Sequence, residues 1–244
     1  MTRIDMTTRE WHELITPVLP HASTDADDRE LSAVRIEAAQ YAIYAVAFDR
    51  YTLAAERHAL KPGLRLWDTP GPVHVRATDA AASLRLFTFS KDADPPLRIT
   101  IDVAPIPVTV VGRETTVDRL AITLEADDGT RLVLHDHRDP SSDPLGSWRK
   151  TLAAVLGRPM AAAAPALYLN AAYLPRWQKA VRKGERLAVF TGSKGSQLLL
   201  VAVEQHFLGA WTPVSYLEDP GEMLAQSPWR DELGDDPQER AGDE

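Results

Sequence analysis

Three strand-like runs, Leu31-Ser-Ala-Val-Arg-Ile-Glu37, Tyr41-Ala-Ile-Tyr-Ala-Val-Ala-Phe48 and Tyr51-Thr-Leu-Ala-Ala-Glu-Arg57, follow one amphipathic stretch, residues 8–19, and that order decides the fold. In the leading stretch Trp11, Leu14, Ile15 and Val18 recur at the helical spacing i, i+3, i+4, i+7; Thr7 or Thr8 can cap its start and Pro20 ends it. Val34, Ile36, Ile43 and Val46 supply the β-branched side chains that suit a pleated surface. A short strand at residues 3–6 precedes the helix and Lys61-Pro-Gly63 closes the unit, which therefore reads β-α-β-β-β.

The same order returns twice. Val73-His-Val-Arg76 opens a second unit as a strand, and Thr78 or Asp79 is placed to cap a helix reaching about Ser90, with Ala81, Leu84 and Phe87 on one face. Strands follow at residues 97–103, 108–111, 120–125 and 131–135, the last two joined by Asp127-Asp-Gly129, a strong hairpin signal. A third unit has a strand at residues 167–170, a helix over 173–183 with Asn170 as its cap, and strands at 186–190, 197–203 and 207–211. Between the second and third units a lone helical segment, residues 144–156, and the small-residue run 160–164 mark a boundary. The expected organisation is a domain of two units over residues 1–140, a partial one over 141–217, and a tail over 218–244.

That tail carries ten acidic residues and two basic ones, which accounts for the whole formal charge of −8 and leaves the body with equal numbers of each sign. Its charges, prolines and glycines cannot bury enough apolar surface to offset the entropy of ordering, so it reads as disordered. The acidic total thus says nothing against a nucleic-acid partner for the body. The 244 residues contain no cysteine, which excludes a disulfide scaffold, a zinc ribbon, thiolate catalysis and an iron–sulfur cluster. No apolar run approaches the length of a membrane helix and residues 1–16 lack a secretory core, so the expected location is cytoplasmic, with no membrane partner.

Catalytic signatures are missing from the pattern. His135 and His137 share a strand face, with Asp139 nearby, but two imidazoles without a third convincing ligand read as an exposed strand end. Thr191-Gly-Ser-Lys-Gly-Ser196 lacks phosphate-loop spacing and precedes a strand, so it reads as a hairpin turn. No nucleophile, base and orienting group fall together, and the expectation is a protein without catalysis, metal or cofactor. Asp49 has the position of a turn-stabilising carboxylate.

Helix-then-strands, repeated without cysteine, is the pattern of the DNA clamp fold, and the local sequence resembles the bacterial DNA polymerase III beta subunit, the sliding clamp. The resemblance is carried by Leu14-Ile-Thr-Pro-Val-Leu-Pro-His-Ala-Ser23, Val34-Arg-Ile-Glu37, Tyr44-Ala-Val-Ala-Phe-Asp-Arg-Tyr-Thr-Leu-Ala54, Leu169-Asn-Ala-Ala-Tyr-Leu174 and Trp211-Thr-Pro-Val214. Phe48 and Arg50 stand where the family pattern has Thr and Gly, and three units are present where a clamp subunit has six. It implies an α+β fold of β-α-β-β-β half-units, helices on one face of antiparallel sheets. It further implies a processivity factor that associates with or encircles duplex DNA, independent of sequence, near the nucleoid. Lys and Arg on the inner helices would meet phosphates; here Arg176, Lys179, Arg182 and Lys183 cluster on the third helix, with Arg149 and Lys150 before it. A peptide pocket for a DNA polymerase or other replication protein would be lined by Trp211, Thr212, Pro213 and Val214. The unpartnered third unit favours a homo-oligomer. The alternative is a clamp-fold module that binds a replisome or clamp component without encircling DNA.

Overall fold

The computed structural model describes residues 1–213 apart from 26, 62–64, 67–70, 111–112, 139–142, 157–168 and 192–197. The first unit comprises β1 (Thr2–Thr7), α1 (Thr8–Ile15), β2 (Ala33–Ala39), β3 (Ala42–Phe48) and β4 (Thr52–Ala59). Thr7 caps α1 through a reciprocal pair, its side chain accepting from the Glu10 backbone while Glu10 accepts from the Thr7 N–H at 2.7 Å. All four residues of the predicted face, Trp11, Leu14, Ile15 and Val18, are buried.

The second unit comprises β5 (Val73–Arg76), α2 (Ala77–Leu86), β6 (Pro96–Val110), β7 (Arg113–Ala126) and β8 (Arg131–His135). Three expectations are corrected here. Neither Thr78 nor Asp79 caps α2: Arg76 stands at the cap position without a side-chain bond, and the Ala77 N–H is satisfied by the Ser32 carbonyl at 2.9 Å. Of the expected face of α2, Leu84 packs on the main core and Phe87, just past the helix end, is buried, but Ala80 and Ser83 are buried in place of Ala81, the Trp11 indole donating to the Ser83 hydroxyl at 3.0 Å. The two strands expected at 97–103 and 108–111 are one, β6, running through Pro105 and Pro107. Beyond Ile101 it has β7 on one side only, and an edge tolerates the missing proline N–H. Gly129, with φ of +85°, closes the predicted β7–β8 hairpin in a conformation that suits glycine.

After α3 (Trp148–Leu156), the third unit holds a 3₁₀ turn at Ala171–Tyr173, α4 (Leu174–Gln178), β9 (Leu187–Thr191), β10 (Leu199–Val203) and β11 (Phe207–Trp211). Asn170 caps the 3₁₀ turn, accepting from the Ala172 N–H at 3.0 Å. The helix expected over 173–183 ends at Gln178, and the chain continues through i to i+3 turns. Its buried residues, Trp177 and Ala180, are three apart, which matches the tighter 3₁₀ repeat. The expected linker at 160–164, the turn at 192–196, most of the strand at 167–170 and the tail lie outside the described residues.

Two antiparallel sheets result: a four-stranded one in the order β1-β6-β7-β8 and a seven-stranded one in the order β5-β2-β3-β4-β11-β10-β9. The third unit does not stand unpartnered as expected; β11 pairs with β4 from Phe207↔Glu56 to Trp211↔Thr52. The main core fills the space between the sheets with α1, α2 and α4, joining Ile4, Ile99, Ile122, Trp11, Ile36, Ile43, Trp177, Phe207 and Trp211. A second core lies on the other face of the seven-stranded sheet, where Trp148, Leu152 and Val155 of α3 cover Val46, Leu53, Ala55, Leu200 and Ala210. Strand alternation makes both cores possible, since neighbouring residues point to opposite faces. Among the described residues no helix is long and apolar enough to cross a membrane.

Candidate functional site

The turn between β3 and β4 is built on Asp49. Its Oδ1 accepts the Thr52 N–H at 2.8 Å, the Tyr51 N–H at 3.2 Å and the Thr52 hydroxyl at 2.9 Å, the turn role predicted for it. Arg50 adopts φ of +75°, and its guanidinium reaches Asp28. The other Asp49 oxygen receives Arg176, which also donates to Thr52 Oγ1 at 3.2 Å. Burial pulls the Asp49 carboxyl upward, but the bonds from Arg176 and Thr52 outweigh it and hold the group below the usual carboxylate range. With its hydroxyl proton on Asp49, Thr52 Oγ1 is left to accept from His21 Nδ1 at 3.0 Å. Burial foremost, with Arg176 nearby, pushes the His21 pKa down to about 3, so the ring is neutral.

Around this turn the ends of three elements meet. The Thr212 N–H donates to the Tyr51 carbonyl at 2.9 Å, the Tyr51 and Tyr173 rings stack at 6.0 Å, and Arg176 lies over Tyr173 at 4.3 Å. Tyr51 and Leu174 are half exposed. On the outer face, where the start of α3 crosses the same turn, a cavity of about 110 Å³ is lined by Phe48, Leu53, Pro144, Leu145, Ser147, Trp148 and Thr151. An apolar cavity of this size can receive one aliphatic side chain.

Of the residues expected to line a peptide pocket, Thr212 and Pro213 are half-buried at this junction, whereas Trp211 is turned into the main core and Val214 lies outside the described residues. The sequence reading missed Tyr51, Tyr173, Phe48 and the Leu145–Trp148 wall. The available signal was the apolar content of residues 144–156, which has no strands of its own to cover and so needs another element's face.

The six basic residues expected to face DNA do not form one surface. Arg149 and Lys150 lie on α3, over the outer face; Arg149 bonds Glu37 at 2.5 Å and stacks on Trp148 at 4.2 Å. Arg176, Lys179, Arg182 and Lys183 flank Trp177, which packs on the inner side of the sheet. Arg182 donates to the buried Glu56 at 2.9 Å and approaches Glu13 at 3.6 Å. Lys150, Lys179 and Lys183 are exposed and have no ion pair among the described residues. Arg158, which the sequence places near Arg149, lies outside the described residues. His135 is exposed at the end of β8, and no group of three or more metal-ligating side chains occurs among the described residues.

Two antiparallel sheets backed by inward helices from β-α-β-β-β units define the DNA clamp fold, and solved structures bear this out. No protein-family model and no curated protein matches the chain. It is similar to a putative DNA polymerase III beta subunit from Eubacterium rectale, with a TM-score of 0.64 at 8% identity over 88% of this chain and 66% of that one. The Bacillus subtilis DNA polymerase sliding clamp gives 0.59 at 14% identity, covering 88% and 64%, and the Thermotoga maritima beta subunit gives 0.58 at 10%, covering 88% and 66%. The chain thus spans just under two thirds of the length of the clamp subunits it resembles.

Proposed function

We propose that this chain is a sliding-clamp-like processivity factor, a shortened and divergent relative of the beta subunits, without catalysis of its own. It associates with duplex DNA irrespective of sequence and tethers a replication or repair protein through a short peptide. The observation that carries the reading is the clamp fold together with the apolar cavity that Phe48, Leu53 and the start of α3 form at the β3–β4 turn. Residues 1–140 serve as the complete clamp-like domain and 141–217 as the partial one.

Lys179 and Lys183, exposed beside the inner helices and free of carboxylate partners among the described residues, supply the phosphate contacts. Ring formation draws on β9, an edge strand of the seven-stranded sheet, whose Leu187, Val189 and Phe190 are all exposed; such an edge favours pairing with a second copy. The second reading, a clamp-fold module that binds a replisome or clamp component and never closes on DNA, is favoured by one observation. Arg149 and Arg176 are already neutralised by Glu37 and Asp49, and Arg182 is engaged by the Glu56 carboxyl.

Light scattering of the purified protein with circular duplex DNA separates the two. A closed oligomer that stays on circular DNA, slides off after linearisation and is lost in Lys179→Glu/Lys183→Glu supports the first. A species indifferent to DNA, but still binding a leucine- and phenylalanine-bearing peptide in a Leu53→Ser-sensitive way, supports the second. Failure of both assays overturns the tethering role itself.

A further inference from the structure

A recess on the far side of the molecule from β9 has a chemistry that tethering does not use. It measures about 610 Å³ and lies between the segment following α1, the β5–α2 junction and the stretch after β8. Arg29 and Arg76 stand in its wall with Thr24, Thr78, His137 and Asp25. Neither arginine has a carboxylate partner among the described residues, in contrast to Arg35, Arg149, Arg176 and Arg182, which all have one.

The second cation is also positioned. Arg76 donates from Nε to His137 Nδ1 at 3.1 Å, and His137 is itself held by its backbone N–H on the His74 carbonyl at 2.8 Å. Burial first, and the Arg76 charge next, hold the His137 imidazole below its ordinary pKa, so it accepts this bond as a neutral ring. The Nη atoms of Arg76 then remain as free donors. The one carboxylate in the wall, Asp25, accepts the Asp27 N–H at 2.9 Å. Ala77 is the only aliphatic residue in the lining, and the recess offers hydroxyls and guanidinium forks as its polar groups.

We propose that this recess binds a small phosphate monoester, with Arg29 and Arg76 gripping the phosphate and the threonine hydroxyls meeting the polar remainder. Guanidinium forks match phosphate oxygens geometrically and keep their charge at any working pH. The recess has the volume of a small-molecule site, and its concavity suits a compact ligand better than a duplex. Within the lining two cations face one carboxylate, with Asp79 beside Thr78 just outside it.

The test is calorimetric titration of the full-length protein with ribose 5-phosphate, ribose, inorganic phosphate and a short DNA duplex at matched ionic strength. Arg29→Gln/Arg76→Gln removes the grip, and Arg131→Gln, on exposed β8, removes a positive charge elsewhere. The expected result is saturable binding of ribose 5-phosphate and of inorganic phosphate, none of ribose, weakened at least about tenfold in the double variant and unchanged in Arg131→Gln. Near-native thermal unfolding of the double variant confirms that its fold is intact, and the single Arg29→Gln variant serves if it is not. Absence of saturable phosphate binding overturns the proposal. So does equal weakening in Arg131→Gln, which would make the effect one of net charge, and so does binding of the duplex alone, which would make the recess part of a DNA surface.

Discussion

Gly209 of β11 lies directly against the indole of Trp177: a β-carbon there would stand 2.8 Å from Trp177 Cη2 and 2.8 Å from the Leu53 carbonyl of β4. The glycine lets α4 settle onto the strand that joins the third unit to the first. Gly209→Ala should therefore force these elements apart and destabilise the protein by ~1–3 kcal/mol, the usual cost of overpacking. Urea unfolding should show a lower midpoint, with Leu208→Ala on the opposite face leaving Trp177 fluorescence unchanged. An unaltered midpoint in Gly209→Ala would mean that α4 does not seat on β11.

The Arg176–Asp49 pair ties α4 to the β3–β4 turn and is mostly buried on the Asp49 side. Asp49→Asn should cost ~2–3 kcal/mol, because it leaves Arg176 without its counter-charge while preserving shape. Arg176→Glu would place two carboxylates together and report on folding rather than on DNA. Variants meant to probe DNA are therefore Lys179 and Lys183, whose replacement should leave thermal unfolding nearly unchanged.

His21, buried and neutral with its pKa pushed down to about 3 from 6.5, makes the fold sensitive to acid. Below pH 6.5 the unfolded chain takes up a proton that the folded ring refuses, so stability falls as the pH drops from 6.5 toward 3, by up to about 1.4 kcal/mol per pH unit. His21→Gln should remove that part of the slope while lowering stability at neutral pH. Denaturation midpoints measured between those limits check it, and an unchanged acid slope in the variant would remove His21 from the account.

Glu56 works in the opposite direction. Burial pushes its pKa up to about 9 against the pull of Arg182, and Glu13 and Glu185 add to the rise. The protonated carboxyl can donate to His206 Nδ1 at 3.0 Å and accept from Arg182 at 2.9 Å, while His206 Nε2 donates to Glu185 at 3.1 Å. A folded pKa above the unfolded value of 4.5 gives stability that is complete below 4.5 and lost as the pH rises through about 9. Glu56→Gln, which keeps a neutral polar group in place, should flatten this alkaline loss and make the variant the more stable protein near pH 9. If wild type and variant lose stability in parallel as the pH rises, the burial of an ionisable Glu56 is not what governs that limb.

Much of the local structure was legible in the sequence because its causes are local. The spacing of Trp11, Leu14, Ile15 and Val18, the Thr7 cap, the Asp49 turn and the Asp127-Asp-Gly129 hairpin each depend on residues a few positions apart. The helix expected through Lys183 ended early because tertiary packing of Trp177 and Ala180 favoured a tighter turn over helix propensity.

By itself the sequence determined the repeated helix-then-strands order, the positions of β2, β3, β4, β8, β10 and β11, the absence of cysteine chemistry and the separation of an acidic tail from a charge-balanced body. Only the tertiary structure decided that β11 pairs with β4, that α3 covers the outer face, and that Arg149, Arg176 and Arg182 are engaged by acidic side chains of the protein. Arg176 finds the Asp49 carboxylate 127 residues away and Arg182 finds the Glu56 carboxyl 126 away. Strand periodicity says which residues share a face but not which strand lies alongside, and a charge in the sequence carries no mark of its partner; both are settled when distant segments compete for the same buried surface.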